Sequence, residues 1–157
     1  MPRVKVLFVC DAHGLRSRVA EHFAREEAGA LVEACCAAFE PTVIPSGAPP
    51  VKALAGLGMT FPPEAVPLVF DLYREGQTFD YVVTMCHDAS VTTCPEFRRS
   101  VNALFQRKAV SLAWEIPDFR TIGGSDDEVR SACAALCEDI RGRVTRLCRR
   151  VVVAGEA

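Results

Sequence analysis

The stretch Val4-Lys5-Val6-Leu7-Phe8-Val9 is short, aliphatic and β-branched, and Asp11 to Gly14 breaks it off, a pattern that predicts a buried strand. From Ser17 the spacing turns helical, with Val19, Ala20, Phe23 and Ala24 on one face and Arg18, Glu21, Arg25 and Glu26 elsewhere, up to a stop at Gly29. Leu31 to Phe39 reads as a second strand. A proline-rich connection from Pro41 to Pro50 follows, and then a short helix from Val51 to Leu57, ending near Gly58. Pro62-Pro63 restarts the chain, and Glu64 to Arg74 is predicted helical, shortened or kinked at Pro67. Phe79 to Met85 is a third strand, Cys86 to Pro95 a polar loop, and Ala109 to Trp114 a fourth strand closed by Pro117. The last helix opens on a capping box, Ser125-Asp126-Asp127-Glu128. It continues through Val129, Ala132, Cys133, Leu136, Ile140, Val144, Leu147 and Val151 at helical spacing.

Four strands alternating with helices predict an α/β fold, a four-stranded parallel sheet with helices on both faces. No internal repeat or long linker divides the chain, so a single domain over residues 1–157 is expected. In such sheets chemistry gathers at the carboxyl ends of the strands. Cys10 ends the first strand, Cys86 the third, and Asp118 follows the fourth, so these three are expected to meet at one edge.

Composition narrows the function classes. A formal net charge of −2, without a basic block beyond Arg149-Arg150, argues against nucleic acid as a partner. No apolar run is long enough to cross a bilayer, and the first strand is too short for a signal peptide. A cytoplasmic protein with no membrane partner is the expectation. The eight cysteines are unusual. Cys133, Cys137 and Cys148 follow one helical pattern and Cys35-Cys36 lies in an apolar run, so these five read as small buried hydrophobes. Only Cys133 and Cys137 are suitably close for a metal, without a second pair, so no metal or cofactor is expected. Cys10, Cys86 and Cys94, all beside strand ends, need another explanation.

Cys10-Asp11-Ala12-His13-Gly14-Leu15-Arg16-Ser17 is a C-x5-R-S segment between a strand and a helix. A tetrahedral oxyanion can be wrapped by successive backbone N–H groups and a helix N-terminus, which predicts an oxyanion loop over Asp11, Ala12, His13, Gly14, Leu15, Arg16 and Ser17. The same field would lower the Cys10 pKa and make it a nucleophile, while Arg16 could grip two oxygens at once. Ser17 would cap the helix or hydrogen-bond the thiolate. Spacing alone is weak, since Cys137 and Arg143 have the same separation inside the last helix. The strand, glycine and helix around Cys10 are what single it out. Asp11 is expected to face solvent, because pointing inward it would oppose an oxyanion and raise the Cys10 pKa.

The strand, C-x5-R-S and Ala20-Glu21 resemble the low-molecular-weight protein tyrosine phosphatase superfamily, whose phosphotyrosine phosphatase I-like fold thioredoxin-coupled arsenate reductases share. Phe79 to Cys86 with Asp88-Ala89 and Cys94-Pro95 is similar to the arsenate reductase redox segment, and Trp114 to Asp118 to the family's aspartate loop. The resemblance implies an arsenate reductase. Cys10 would attack arsenate, Arg16 would hold its oxygens, and Asp118 would protonate the departing hydroxide. Cys86 and Cys94 would pass the oxidation along as a disulfide relay, ending in a Cys86–Cys94 bond reduced by thioredoxin. Against the family pattern, His13 stands for the usual asparagine, Gly14 for serine or a larger residue, where it adds flexibility, and Phe119 for the proline after the aspartate. Two alternatives stay open: a phosphatase acting on a phosphate ester through Cys10, Arg16 and Asp118 alone, and a non-catalytic oxyanion or redox sensor. His22 and His87 are read as surface residues without partners.

Overall fold

A computed structural model of the protein describes residues 3–12, 14–40, 44–45, 47–61, 66–86, 93–105 and 108–156. Its four strands are β1 (Val4–Cys10), β2 (Val32–Ala38), β3 (Tyr81–Met85) and β4 (Val110–Trp114). They form one sheet in the order β2-β1-β3-β4, with every neighbouring pair parallel. Parallel strands need crossovers, and these are supplied by α1 (Leu15–Ala28), α2 (Pro49–Gly56), α3 (Val69–Arg74) and α4 (Thr93–Phe105), with α5 (Asp126–Glu156) closing the chain.

Strand alternation splits the core into two layers. Val6, Phe8 and Cys10 of β1 and Val83 and Met85 of β3 face a cluster with Val19, Phe23, Leu54, Cys133 and Ile140. Leu7, Val9 and Val82 face the other side, where Val69, Leu72, Phe97, Val101 and Phe105 cover them. The same alternation carries past β3: Met85 belongs to the first layer, Cys86 to the second. Cys10 and Cys86 therefore end adjacent strands but lean to opposite faces of the sheet.

Two segments differ from the sequence reading. The helix expected from Glu64 begins only at Val69, while Glu64 itself lies outside the described residues. Pro67 disfavours helical backbone at Val66, and its carbonyl instead accepts the Ala38 amide at 2.9 Å, with Leu68 bridged to Ala38. The second difference is α4, which the sequence reading left out. Cys94 and Pro95, read as loop, occupy its first turn, where proline sacrifices no helical hydrogen bond. Phe97, Val101 and Phe105 mark its buried face.

The cysteines of α5 are packed as small hydrophobes: Cys133, Cys137 and Cys148 are all buried. Cys35 and Cys36 on β2 are half-buried. Burial pushes the Cys137 thiol up to about 12 and the Cys148 thiol up to about 11. A raised folded-state pKa gives stability that is complete below the unfolded thiol value, about 8.5, and is lost as pH rises toward the folded value. Urea midpoints should therefore hold to about pH 8 and fall above it, by roughly 1–2 kcal/mol per thiol at pH 10. Replacing both cysteines by alanine should flatten that slope, whatever it does to stability at pH 7. An unchanged slope would remove these thiols as its cause.

Candidate active site

Cys10 is the last residue of β1, and α1 begins five residues later. Two backbone bonds from the end of β2 hold the intervening loop: Phe39 N–H donates to Cys10 O and Glu40 N–H to Asp11 O, both at 2.9 Å. Gly14 makes the turn into α1 at φ 74°, a left-handed backbone that suits glycine. Its missing side chain leaves room for the Val66 methyls. Gly14 is thus a site of close packing, where the sequence reading expected added flexibility. His13 lies outside the described residues. Ala12 and Leu15 are buried.

Arg16, from the first turn of α1, is 1% exposed. Its Nη1 donates to the Ile116 carbonyl at 3.1 Å, and its Nη2 pairs with Asp11 Oδ1 and lies 3.8 Å from Asp118 Oδ2. Its Nε, also buried, has no hydrogen-bond partner among the described residues. The inward placement of Asp11 corrects the sequence expectation. A buried guanidinium requires an anionic partner, and Asp11 is close enough in sequence to supply one.

Asp118 caps a 3-10 turn, Phe119–Thr121, accepting the Arg120 amide at 2.8 Å and the Arg120 guanidinium at 3.2 and 3.0 Å. Ile116 and Phe119, both fully buried, anchor the segment on either side. Phe119 therefore holds this loop by packing, at the position where the family pattern has proline.

Cys10 is fully buried, and its thiol faces the Ala12 carbonyl at 3.4 Å and Ser17 Oγ at 3.3 Å. Ser17 Oγ also donates to Gly14 O at 2.9 Å, so it braces the loop from inside α1 and is not the helix cap. Burial raises the Cys10 pKa above its ordinary value, against the lowering exerted by Arg16 and by hydrogen bonds from Ser17; Asp11 adds to the rise. The lowered value expected from the loop is not what this arrangement produces. Desolvation penalises the thiolate, and the guanidinium that would favour it is paired with Asp11.

Cys86 and Cys94 form a disulfide that joins the end of β3 to the first turn of α4, with Cα atoms 6.0 Å apart. Cys86 Sγ lies 4.0 Å from Asp11 Oδ2. One turn beyond Cys94, Arg98 Nη2 reaches the carbonyls of Cys86 (3.3 Å) and Trp114 (3.1 Å), tying α4 to the ends of β3 and β4. His87, Asp88 and Ala89 lie outside the described residues.

The structure thus gathers Cys10, Asp11, Arg16, Ser17, Asp118, Cys86 and Cys94 at one sheet edge. Phe39, Glu40, Val66, Arg98, Ile116 and Arg120 were not singled out in the sequence. Most of them act through backbone atoms or packing, which sequence motifs do not display. The spacing of four between Cys94 and Arg98 was the one available signal. His22 pairs with Glu26 at 3.2 Å, one turn along α1, correcting its reading as partnerless. Among the described residues no group of three or more His, Cys, Asp or Glu side chains is placed to hold a metal ion. The donors at the edge, a guanidinium whose Nε has no hydrogen-bond partner among the described residues and a neighbouring thiol, suit an anion.

Several solved structures share the fold. A thioredoxin-dependent arsenate reductase from Corynebacterium glutamicum is 24% identical with a TM-score of 0.58, over 98% of this chain and 64% of that one. This chain therefore spans less than two thirds of that protein's length. An arsenate reductase from Archaeoglobus fulgidus is 23% identical with a TM-score of 0.61, over 91% of this chain and 98% of that one. The YwlE arginine phosphatase from Geobacillus stearothermophilus is 17% identical with a TM-score of 0.62, over 96% of this chain and 94% of that one. No curated protein sequence matches the chain. Residues 5–153 match the sequence profile for low molecular weight phosphotyrosine protein phosphatase, and the chain belongs to that family.

Proposed function

We propose that the protein is an arsenate reductase that uses Cys10 as nucleophile and a Cys86–Cys94 disulfide relay, with thioredoxin as reductant. The observation that carries this over hydrolysis is the disulfide itself, formed at the same sheet edge as the C-x5-R loop. Ester hydrolysis through a cysteinyl phosphate has no use for it.

Cys10 thiolate displaces hydroxide from arsenate while Arg16 holds two oxygens, and Asp118 supplies the proton that lets the hydroxide leave as water. Cys86 thiolate then attacks Cys10 Sγ. The new sulfur–sulfur bond forms as the sulfur–arsenic pair goes to arsenic, which leaves as arsenite. Cys94 thiolate attacks Cys86 Sγ, Cys10 is released, and the resulting Cys86–Cys94 bond is reduced by the thioredoxin dithiol. Because Cys86 packs into the layer opposite Cys10, Cys86 has to change position between the two bonds.

Arsenate reduction coupled to thioredoxin, and hydrolysis of a phosphate ester, are to be measured in wild type and Cys86→Ser. The expected result is arsenate turnover in wild type that becomes undetectable beyond a single cycle in the variant. Multiple turnover by Cys86→Ser would remove the relay. Ester hydrolysis that survives the substitution, without arsenate turnover in wild type, would make the protein a phosphatase.

A further inference from the structure

We propose that Asp11 is an internal competitor for the Arg16 clamp and so determines which anions the site accepts: tetrahedral oxyanions displace it, whereas carboxylates and other weak anions do not. The inference deepens the oxyanion reading of the loop and rests on it.

Asp11 directly follows the cysteine and sends its carboxylate back to Arg16 Nη2. One carboxylate oxygen, Oδ1, occupies Arg16 Nη2, a donor that an oxygen of a bound oxyanion would otherwise take. The rest of the site is arranged to match. Asp11 is fixed through its backbone, where Glu40 N–H holds its carbonyl, and its second oxygen lies 4.0 Å from Cys86 Sγ. The thiol of Cys10 points at a loop carbonyl, as a neutral thiol should. Among the described residues, the charged groups around Asp11 are Arg16 from α1 and, beyond that guanidinium, Asp118 and Arg120 from the segment after β4.

Tethering decides the competition. A carboxylate fixed beside the clamp acts at a high effective concentration, against which a free monovalent anion must compete with the same contacts and no advantage. A tetrahedral oxyanion has further oxygens to place, and Arg16 Nε, buried and without a hydrogen-bond partner among the described residues, is a donor left to receive one. Removing the Asp11 charge should strengthen every anion that needs the clamp by a similar factor, which brings weak ones up to measurable binding. It should also favour the Cys10 thiolate, since Asp11 opposes it and occupies the guanidinium that supports it.

The test uses the disulfide form of the full chain with two probes, inorganic phosphate and acetate, on wild type, Asp11→Asn and Asp11→Ser. Calorimetry reads affinity, and mass spectrometry reads alkylation at Cys10, with Cys35 as the internal reference. Phosphate should bind both variants about 10- to 100-fold more tightly than wild type. Acetate should protect Cys10 in the variants but not in wild type, and the pH midpoint of Cys10 alkylation should fall. Equal phosphate affinity in wild type and variants, or acetate protection of wild type, overturns the proposal and leaves the oxyanion loop standing. Failure of phosphate to bind any of the three overturns the loop reading and the proposal together. Thermal melts check folding; should one variant unfold, the other and the wild-type acetate arm decide.

Discussion

Arg16→Lys is expected to cut kcat/KM for oxyanion turnover by about 100- to 1000-fold, while shifting Tm by only a few degrees. Three partners surround this one guanidinium: Asp11, Asp118 and the carbonyl of Ile116. Lysine preserves the positive charge that the two carboxylates require, which is why the fold should tolerate the change. It cannot preserve the fork. A single ammonium reaches one of those directions at a time, and it cannot hold two oxygens of a reacting group in a fixed plane. The loss should fall on kcat as well as KM, because the second oxygen contact matters most when charge builds on the leaving group. Arg16→Ala gives the contrast. It takes from Asp11 the guanidinium it is paired with and from Asp118 one of its cationic neighbours, Arg120 remaining, so stability should fall along with activity. Kinetics and thermal melts on the two variants separate the roles, and activity within tenfold of wild type in Arg16→Lys would remove Arg16 as the clamp.

The parts of the molecule that follow from neighbours in sequence were legible from the sequence. The β1 strand, the glycine turn and α1 could be read because each signals itself within a few residues. The same holds for the capping box of α5, in which Ser125 N–H donates to Glu128 Oε1 and Glu128 N–H to Ser125 Oγ, both at 3.2 Å. The shared edge of Cys10, Cys86 and Asp118 was also legible, because a parallel sheet places all its strand ends together.

Side-chain direction was not legible. In the sequence Asp11 reads as a solvated carboxylate, because the loop and its anion are local signals, whereas the need of a buried arginine for a counter-charge from the protein itself shows only once Arg16 is seen to be buried. The Cys10 pKa was misjudged for the same reason: a helix N-terminus and an arginine are local signals, whereas complete burial is set by chains far away in sequence. The opposite leaning of Cys10 and Cys86 could have been derived from strand parity and the pairing of Cys10 with Met85, yet the register itself becomes known only in the folded sheet.

Gly14→Ala is expected to destabilise the protein by about 2–4 kcal/mol and to disable the loop with it. Two costs combine. Gly14 sits at φ 74°, where a Cβ costs about 1–2 kcal/mol in local sterics alone. The Cβ would also fall 2.7 Å from Val66 Cγ1 and closer still to Cγ2, and relieving that overlap costs a further 1–2 kcal/mol or so. Val66 has little room to retreat. It is 7% exposed and is followed by Pro67, whose carbonyl holds the end of β2. The loop is the more compliant side, and moving it displaces the Gly14 carbonyl that Ser17 Oγ grips, and through Ser17 the Cys10 thiol. Urea unfolding of Gly14→Ala, Val66→Ala and the double variant resolves the two costs. The double variant should recover about 1–2 kcal/mol of the sum of the single effects, the part due to overlap, while the backbone part persists. Strict additivity would mean that Val66 does not set the loop, and Gly14→Ala stability within about 0.5 kcal/mol of wild type would mean that the left-handed turn is not required there.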